Sequence, residues 1–423
     1  MTAIEFRPWT SPARVADAQD VVWRAPSAEP GAIRTDIAPW LTSFGPVPDR
    51  AIDLARLASA AFTADQMKVR HQGFSRSFDL RVHLIDPAAW SDELLADLAD
   101  LLSSLTADDW RLEVLPDTSE EHPVADAERE WKQGRRVALL SGGLDSFAGA
   151  VLSSADEDTL YLGHWDQSAV KKAQNAVKTW FASSGRPIDY EQVRFAINAQ
   201  QGKVERTTRS RALLFMTLGV ALATARGAHL VEVPENGHTS LNPPLGPERG
   251  GALSTRSTHP RTFARLNDLL MNLGIDVRVR NPHHDKTKGE LVGLALAASP
   301  GDFAQAAAET LSCAKLDGNW YKGGNPNHHC GLCVACIVRR CSLIVAGVTD
   351  RTPYLSEALS GEGHDALIRN RASDVDAVKR AILTGLEDDD LLAIGPYPDD
   401  FDLDAGLDVC RRGLAEMARV PLG

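Results

Sequence analysis

In RSFDLRVHLIDP, Phe78, Leu80, Val82 and Leu84 alternate with polar residues, the period of a half-buried strand. WSDELLADLADLLSSL follows, with Ser91 before a run of acids and leucines at helical spacing, which predicts a helix capped by Ser91. WRLEVL alternates again through Trp110, Leu112 and Val114. Together these predict an N-terminal α+β domain over residues 1–130, with the polar stretch 117–130 as its linker. From Arg135 the pattern changes. Short apolar runs at 137–140, 160–163, 193–197, 230–233 and 277–279 read as strands. Helix-period stretches lie between and after them, near 147–152, 167–182, 209–225, 261–273 and 288–298. Buried strands alternating with helices predict an α/β domain over 131–345, a doubly wound parallel sheet with ligands at the carboxyl ends of its strands. The tail, 346–423, reads as short helices, with EDDDLLAIGPYPDDFDLD as a solvated surface.

The length, 423 residues, exceeds one compact core and fits two or three domains. No apolar run is long enough to span a bilayer, and the N-terminus lacks the layout of a signal peptide, so a cytoplasmic protein without a membrane role is expected. The net charge of −12 argues against nucleic acid as a direct substrate, while leaving room for a small basic pocket.

The first strand of the second domain runs straight into Ser141-Gly142-Gly143-Leu144-Asp145-Ser146 and then into a helix. Glycines allow a tight turn and close approach to a ligand. Amides exposed there, at a helix N-terminus, favour an anion, and the serine hydroxyls add donors. The lysine of G-x-x-x-x-G-K-[ST] is absent, and a carboxylate, Asp145, takes part instead. A carboxylate beside phosphate oxygens calls for a cation between them, here Mg2+. At these residues the chain resembles the PP-loop ATP pyrophosphatases. The resemblance implies ATP cleaved between its α and β phosphates and AMP passed to a substrate oxygen.

The second candidate centre is SCAKLDGNWYKGGNPNHHCGLCVACIVRRC. Cys330, Cys333 and Cys336 recur at two-residue gaps, and Cys313 comes from across a polar loop, a donor set for a closed structural Zn2+ site. An iron–sulfur cluster is the rival, and His328, His329 and Cys341 are spare donors. Gly331 eases the turn after Cys330, and Arg339 and Arg340 are expected to offset the site's negative charge.

A Ser-Gly-Gly-x-Asp-Ser loop followed by Cys…CGxCxxC resembles the QueC family, the 7-cyano-7-deazaguanine synthases, over roughly residues 135–345. RALLF (211–215) is similar to that family's RNxxF, with Ala212 in place of asparagine, and TKGE (287–290) to its TKAE. YLGHWDQ (161–167) matches its FDYGQ-like strand end loosely, and residues 233–260 replace its usual substrate loop. The extra N-terminal module and tail resemble the QueC-like components of anti-phage defence systems. That resemblance implies an ATP-dependent ligase that adenylates a 7-deazaguanine carboxylate and joins it to an amine, with a partner protein as acceptor. Free 7-cyano-7-deazaguanine synthesis, tRNA sulfur transfer and a non-catalytic ATP-binding scaffold remain alternatives. Candidate catalytic residues are Asp145, Lys288 and Arg211; residues 141–146 would hold ATP, and Glu235 and Asn236, after a strand end, would meet the substrate. Lys288 would neutralise the α-phosphate and Arg211 a phosphate or the substrate carboxylate. Asp166 reads as a helix cap and His259 as a loop histidine. GEGHDA (361–366) fits a dinucleotide pattern but has no strand before it.

Overall fold

The computed structural model describes residues 2–11, 18–23, 37–70, 75–119, 125, 130–156, 158–165, 167–195, 205, 209–246 and 253–422. In chain order it begins with strands β1 (Thr2–Pro8) and β2 (Gln19–Trp23) and helices α1 (Ile37–Thr42) and α2 (Asp49–Met67). Strand β3 (Ser77–Leu84), helix α3 (Asp92–Thr106) and strand β4 (Asp109–Pro116) follow. The expected N-cap is in place: the Ser91 hydroxyl accepts from the Leu94 amide at 3.3 Å. These four strands form a parallel sheet in the order β2-β1-β3-β4, in which Phe78, Leu80 and Val82 pair in register with Trp110, Leu112 and Val114.

The second sheet uses β5 (Arg136–Leu139), β6 (Thr159–Trp165), β7 (Asp189–Arg194), β8 (Leu230–Glu232) and β9 (Arg278–Arg280), in the order β7-β6-β5-β8-β9. Between and after them run α4 (Leu144–Ser153), α5 (Ser168–Ser183), α6 (Arg211–Ala225), α7 (Gly237–Leu241), α8 (Pro260–Asn272), α9 (Lys288–Ala298) and α10 (Phe303–Glu309). The first strand, β5, is central, and the chain builds outward on one side and then, from β8, on the other. Parallel pairing of Val137 with Val231 and of Val231 with Val279 joins β5, β8 and β9. The strand order therefore reverses between β5 and β8, where α/β sheets bind ligands. The tail adds α11 (Val334–Val345), α12 (Leu355–Ala358), α13 (Gly361–Thr384), α14 (Asp388–Leu392) and α15 (Leu403–Met417).

The chain divides into two compact units, one of Met1–Leu139, Gln192–Val233 and Leu253–Arg280, the other of Leu140–Glu191, Pro234–Ala252 and Asn281–Gly423. In the first, α2 and α6 pack together, and both are buried nearly all round. In the second, α4 packs on α9, and α15 on α7 and α11.

Several expectations need correction. The tail is not only short helices: α13 has 24 residues, and Leu391 in the acidic stretch is buried. His259 is the buried N-cap of α8, accepting from the Arg261 amide at 3.2 Å. GEGHDA forms the first turns of α13, as the missing strand implied. Asp166 and most of the 117–130 linker lie outside the described residues. Among the described residues no helix is long and apolar enough to cross a membrane.

The first unit holds a buried ionic knot. Asp65 accepts from Arg76 at 2.5 Å, from the Ser210 hydroxyl at 2.7 Å and from the Arg209 amide at 2.9 Å, while Asp108 accepts from Arg70 and Arg76. Removing one partner leaves buried charge and amides without their acceptor. Asp65→Ala is expected to cost about 3–5 kcal/mol in urea unfolding; a loss within 1 kcal/mol, on the order of a surface substitution, contradicts this account of the knot.

Candidate functional site

Residues 141–146 form the turn from β5 into α4. Gly142 has φ +89°, and its carbonyl accepts from the Leu311 amide at 2.8 Å. A Cβ there would meet the Gln174 side chain at 3.1 Å, so the turn demands glycine twice over. The Ser141 and Ser146 hydroxyls bond each other at 3.0 Å, and Gly143 is the N-cap of α4. The amides of Leu144, Asp145 and Ser146 open that helix, where geometry leaves them without intrahelical acceptors.

Three segments converge on Asp145. Asn236 donates to Asp145 Oδ1 at 3.0 Å and to Glu235 Oε1 at 3.1 Å, and Lys288 donates to Asp145 Oδ2. Close approach makes this possible. A Cβ on Gly149 would lie 2.5 Å from Pro234, and one on Gly237 would lie 2.0 Å from the His284 carbonyl oxygen. The helix carrying Asp145, the loop carrying Glu235 and Asn236, and the segment leading to Lys288 can therefore meet. Asn236 is also the N-cap of α7, accepting from the Thr239 amide at 2.9 Å. Thr287 caps α9 in a reciprocal box with Glu290, which sets the direction in which Lys288 leaves the backbone.

The electrostatics follow from burial. Burial, then the Asp145 carboxylate, pushes the Glu235 carboxyl well above its ordinary range, so it holds its proton. Burial opposes the charge on Lys288, but the Asp145 carboxylate outweighs it and raises its pKa. The cation beside Asp145 is thus the Lys288 ammonium. Both carboxylate oxygens of Asp145 are thus engaged within the protein, Oδ1 by Asn236 and Oδ2 by Lys288. Arg211 is half-buried at the start of α6, in the first unit, whereas Asp145 belongs to the second. The sequence reading missed a cavity of about 260 Å³ lined by Lys172, Ala173, Leu311, Asn325, His328 and Arg351. Ala173 and Leu311 also touch Gly142, so the cavity adjoins the turn. Its lining comes from scattered, non-periodic positions that leave no motif.

Cys313, Cys330, Cys333 and Cys336 are buried, and their sulfur atoms lie within 4.8 Å of one another, a geometry consistent with zinc binding. Backbone amides donate to two of the sulfurs: Cys330 N to Cys313 Sγ at 3.3 Å and Cys333 N to Cys330 Sγ at 3.2 Å. Gly331 has φ +87°, the turn expected of it. A third arginine, not among those expected, also reaches the cluster. Arg339 is spent on Thr310, Ser312, Thr352 and the Ala307 carbonyl, and Arg340 on Glu357. Arg371 stands beside Cys330 and pairs with Asp317 at 2.6 Å. Cys341 stays outside the cluster, donating to the Val338 carbonyl at 3.1 Å.

Fold and site together define a parallel α/β protein with a Ser-Gly-Gly turn at its topological switch and a buried four-cysteine cluster. The chain is similar to the 7-cyano-7-deazaguanine synthase of Pseudomonas paraeruginosa (strain DSM 24068 / PA7), 23% identical over 241 residues that cover 52% of this chain and 99% of the relative. The 7-cyano-7-deazaguanine synthases of Pseudomonas aeruginosa strains LESB58 and UCBPP-PA14 are 22% identical with the same coverage. No protein-family model matches the chain. The similarity, weak and over half the chain, supports a QueC-like ATP pyrophosphatase.

Two outcomes are expected. Because folded Glu235 keeps a proton that the unfolded chain releases, stability falls as pH rises from the ordinary carboxyl range towards the raised folded pKa. Glu235→Gln removes that loss, so its melting temperature should gain on wild type across this window and then level off; parallel pH curves contradict the assignment. Metal analysis should find zinc without iron, and Cys336→Ser should lose the metal and much of the folding free energy, a binding contribution on the order of 10 kcal/mol. Iron in the wild type, or full zinc in the variant, contradicts it.

Proposed function

We propose that the chain is an ATP-dependent, QueC-like carbon–nitrogen ligase that adenylates a 7-deazaguanine carboxylate and transfers it to an amine, on a partner protein, in anti-phage defence in the cytoplasm. The observation that carries the proposal is the meeting of Asp145, Asn236 and Lys288 at the N-terminus of α4, directly after the Ser-Gly-Gly turn. In this reading residues 131–345 are the catalytic domain, 1–130 an accessory domain and 346–423 a helical region, an arrangement like that of the defence component QatC.

The chemistry is balanced in two steps. A substrate carboxylate oxygen attacks the α-phosphorus of ATP, and the bond to the bridging oxygen breaks to release pyrophosphate. An amine then attacks the acyl carbon, AMP leaves, and the amine gives up one proton. Both steps build charge on phosphate oxygens, so positioned donors and cations contribute most. The amides of residues 144–146 and the hydroxyls of Ser141 and Ser146 bind the departing pyrophosphate. Asp145 would hold Mg2+, which would supply charge neutralisation at the phosphates. Lys288, bonded to Asp145 Oδ2, supplies a positive charge of its own. Protonated Glu235 lies next to these groups and recognises the heterocycle, while Asn236, its amide bonded to Asp145, Glu235 and Thr239, holds Asp145 in place. The adjoining cavity, with Lys172, Asn325 and Arg351, receives the rest of the substrate. Arg211 is kept as a candidate for the substrate carboxylate.

The names of the similar proteins favour a second reading, free 7-cyano-7-deazaguanine synthesis, in which ammonia is the amine and the amide is activated again. One experiment tests both. The wild-type chain, given ATP and the deazaguanine carboxylate, should release AMP and pyrophosphate, and Asp145→Ala should cut the rate at least about 100-fold. Mass spectrometry of co-expressed partner proteins should then show an increment of deazaguanine size with wild type only. A free nitrile and unmodified partners support synthesis. No AMP from any carboxylate or amide contradicts both readings.

A further inference from the structure

Helix α15 lies outside the stretch that resembles the QueC family, yet it touches both arms of the Asp145 cluster. Glu416 accepts from the Thr287 hydroxyl with Oε1 and from the Gly289 amide at 3.0 Å with Oε2, so it grips the residues on either side of Lys288. A Cβ on Gly289 would sit 2.5 Å from Glu416 Oε1 and 2.8 Å from Val345, so a side chain there would displace one of them. One turn earlier on α15, Arg412 donates to Glu290 and, at 3.1 Å, to the Asp285 carbonyl. On the other arm, His238 Nδ1 donates to the Cys410 carbonyl at 3.2 Å, and a Cβ on Gly413 would lie 2.5 Å from the His238 ring. His238 is two residues beyond Asn236, whose amide holds Asp145. Helix α15 is itself fixed by a core in which Leu407, Val409, Leu414 and Met417 pack with Ile337 and Val378.

A carboxylate at Glu416, 9% exposed, is costly to bury unless its bonds have a use. Capping alone does not supply one, because Thr287 and Glu290 already form a complete box at the start of α9. What the second carboxylate adds is a fixed backbone around Lys288. We propose that α15 registers the two arms of the site, and that Glu416 is the positioning residue that aims Lys288 at Asp145. The proposal rests on the reading of Asp145 and Lys288 as parts of the phosphate site. A lysine is a long chain with much rotamer freedom. Small displacements of a positioned group carry large rate penalties.

The test compares full-length wild type with Glu416→Ala, Glu416→Gln and Leu414→Ala. Leu414 lies in the same helix and core and serves as the control for packing alone. Two quantities are read: kcat and KM for pyrophosphate release, and the rate at which acetic anhydride labels Lys288 relative to the other lysines. Glu416→Ala should lower kcat about tenfold or more with KM for ATP changed less than about threefold, and should speed labelling of Lys288. Glu416→Gln should restore most of kcat, since its amide accepts from Gly289 and donates to Thr287. Leu414→Ala should lower the melting temperature at least as far as Glu416→Ala and keep kcat within about twofold. A Glu416→Ala protein with wild-type kcat and wild-type labelling overturns the proposal, and so does a Leu414→Ala protein that loses kcat as Glu416→Ala does. If wild type releases no pyrophosphate, the functional reading fails, and labelling alone decides the positioning: unchanged labelling in Glu416→Ala overturns it.

Discussion

The ion pair between Asp145 and Lys288 governs the architecture of the second unit. Both side chains are buried, and a buried pair is stable only when its remaining bonding capacity is met. Asn236 meets part of it directly. Glu235 meets part of it by keeping its proton, which avoids a third charge in the same small space. The positions involved are 91 and 143 residues from Asp145 along the chain, so the pair can exist only if the α4, 234–237 and 284–288 segments come together. Gly149 and Gly237 remove the side chains that would hold them apart. A charge pair, a protonated acid and two glycines are thus one device. It fixes a cation and an anion beside the amides that open α4.

The cysteine cluster braces the same turn from another direction. Leu311 bonds the Gly142 carbonyl, and Cys313 follows two residues later. Between them Ser312 donates its amide to His329 Nε2 at 3.1 Å, next to Cys330. Buried Arg339 ties Thr310 and Ser312 to Thr352. A metal that holds the four sulfurs together would therefore stiffen the strip of chain on which Gly142 rests. This would link a structural centre to the Ser-Gly-Gly turn through a few hydrogen bonds.

Much of this was legible in the sequence for stated reasons. The strands and helices of the second sheet were visible because buried strands are short apolar runs and their helices carry a clear period. The Ser-Gly-Gly turn and the cysteines were visible because tight turns and tetrahedral sites constrain local spacing. Strands β1 and β2 and helix α2 were not read, and α2 shows why: DRAIDLARLASAAFTADQM is buried nearly all round and lacks a polar face to mark its period. Glu416, Arg371 and the cavity residues were invisible because each acts through a contact distant in sequence, and no local pattern records such a contact.

The measurement that tests the central claim most directly is a crystal structure of the chain with a non-hydrolysable ATP analogue and Mg2+. The account predicts the β- and γ-phosphates on the amides of Leu144, Asp145 and Ser146, with Lys288 turned to phosphate oxygen. A nucleotide bound elsewhere, with Asp145 still closed onto Lys288 and the turn making only the internal bonds described above, would contradict it.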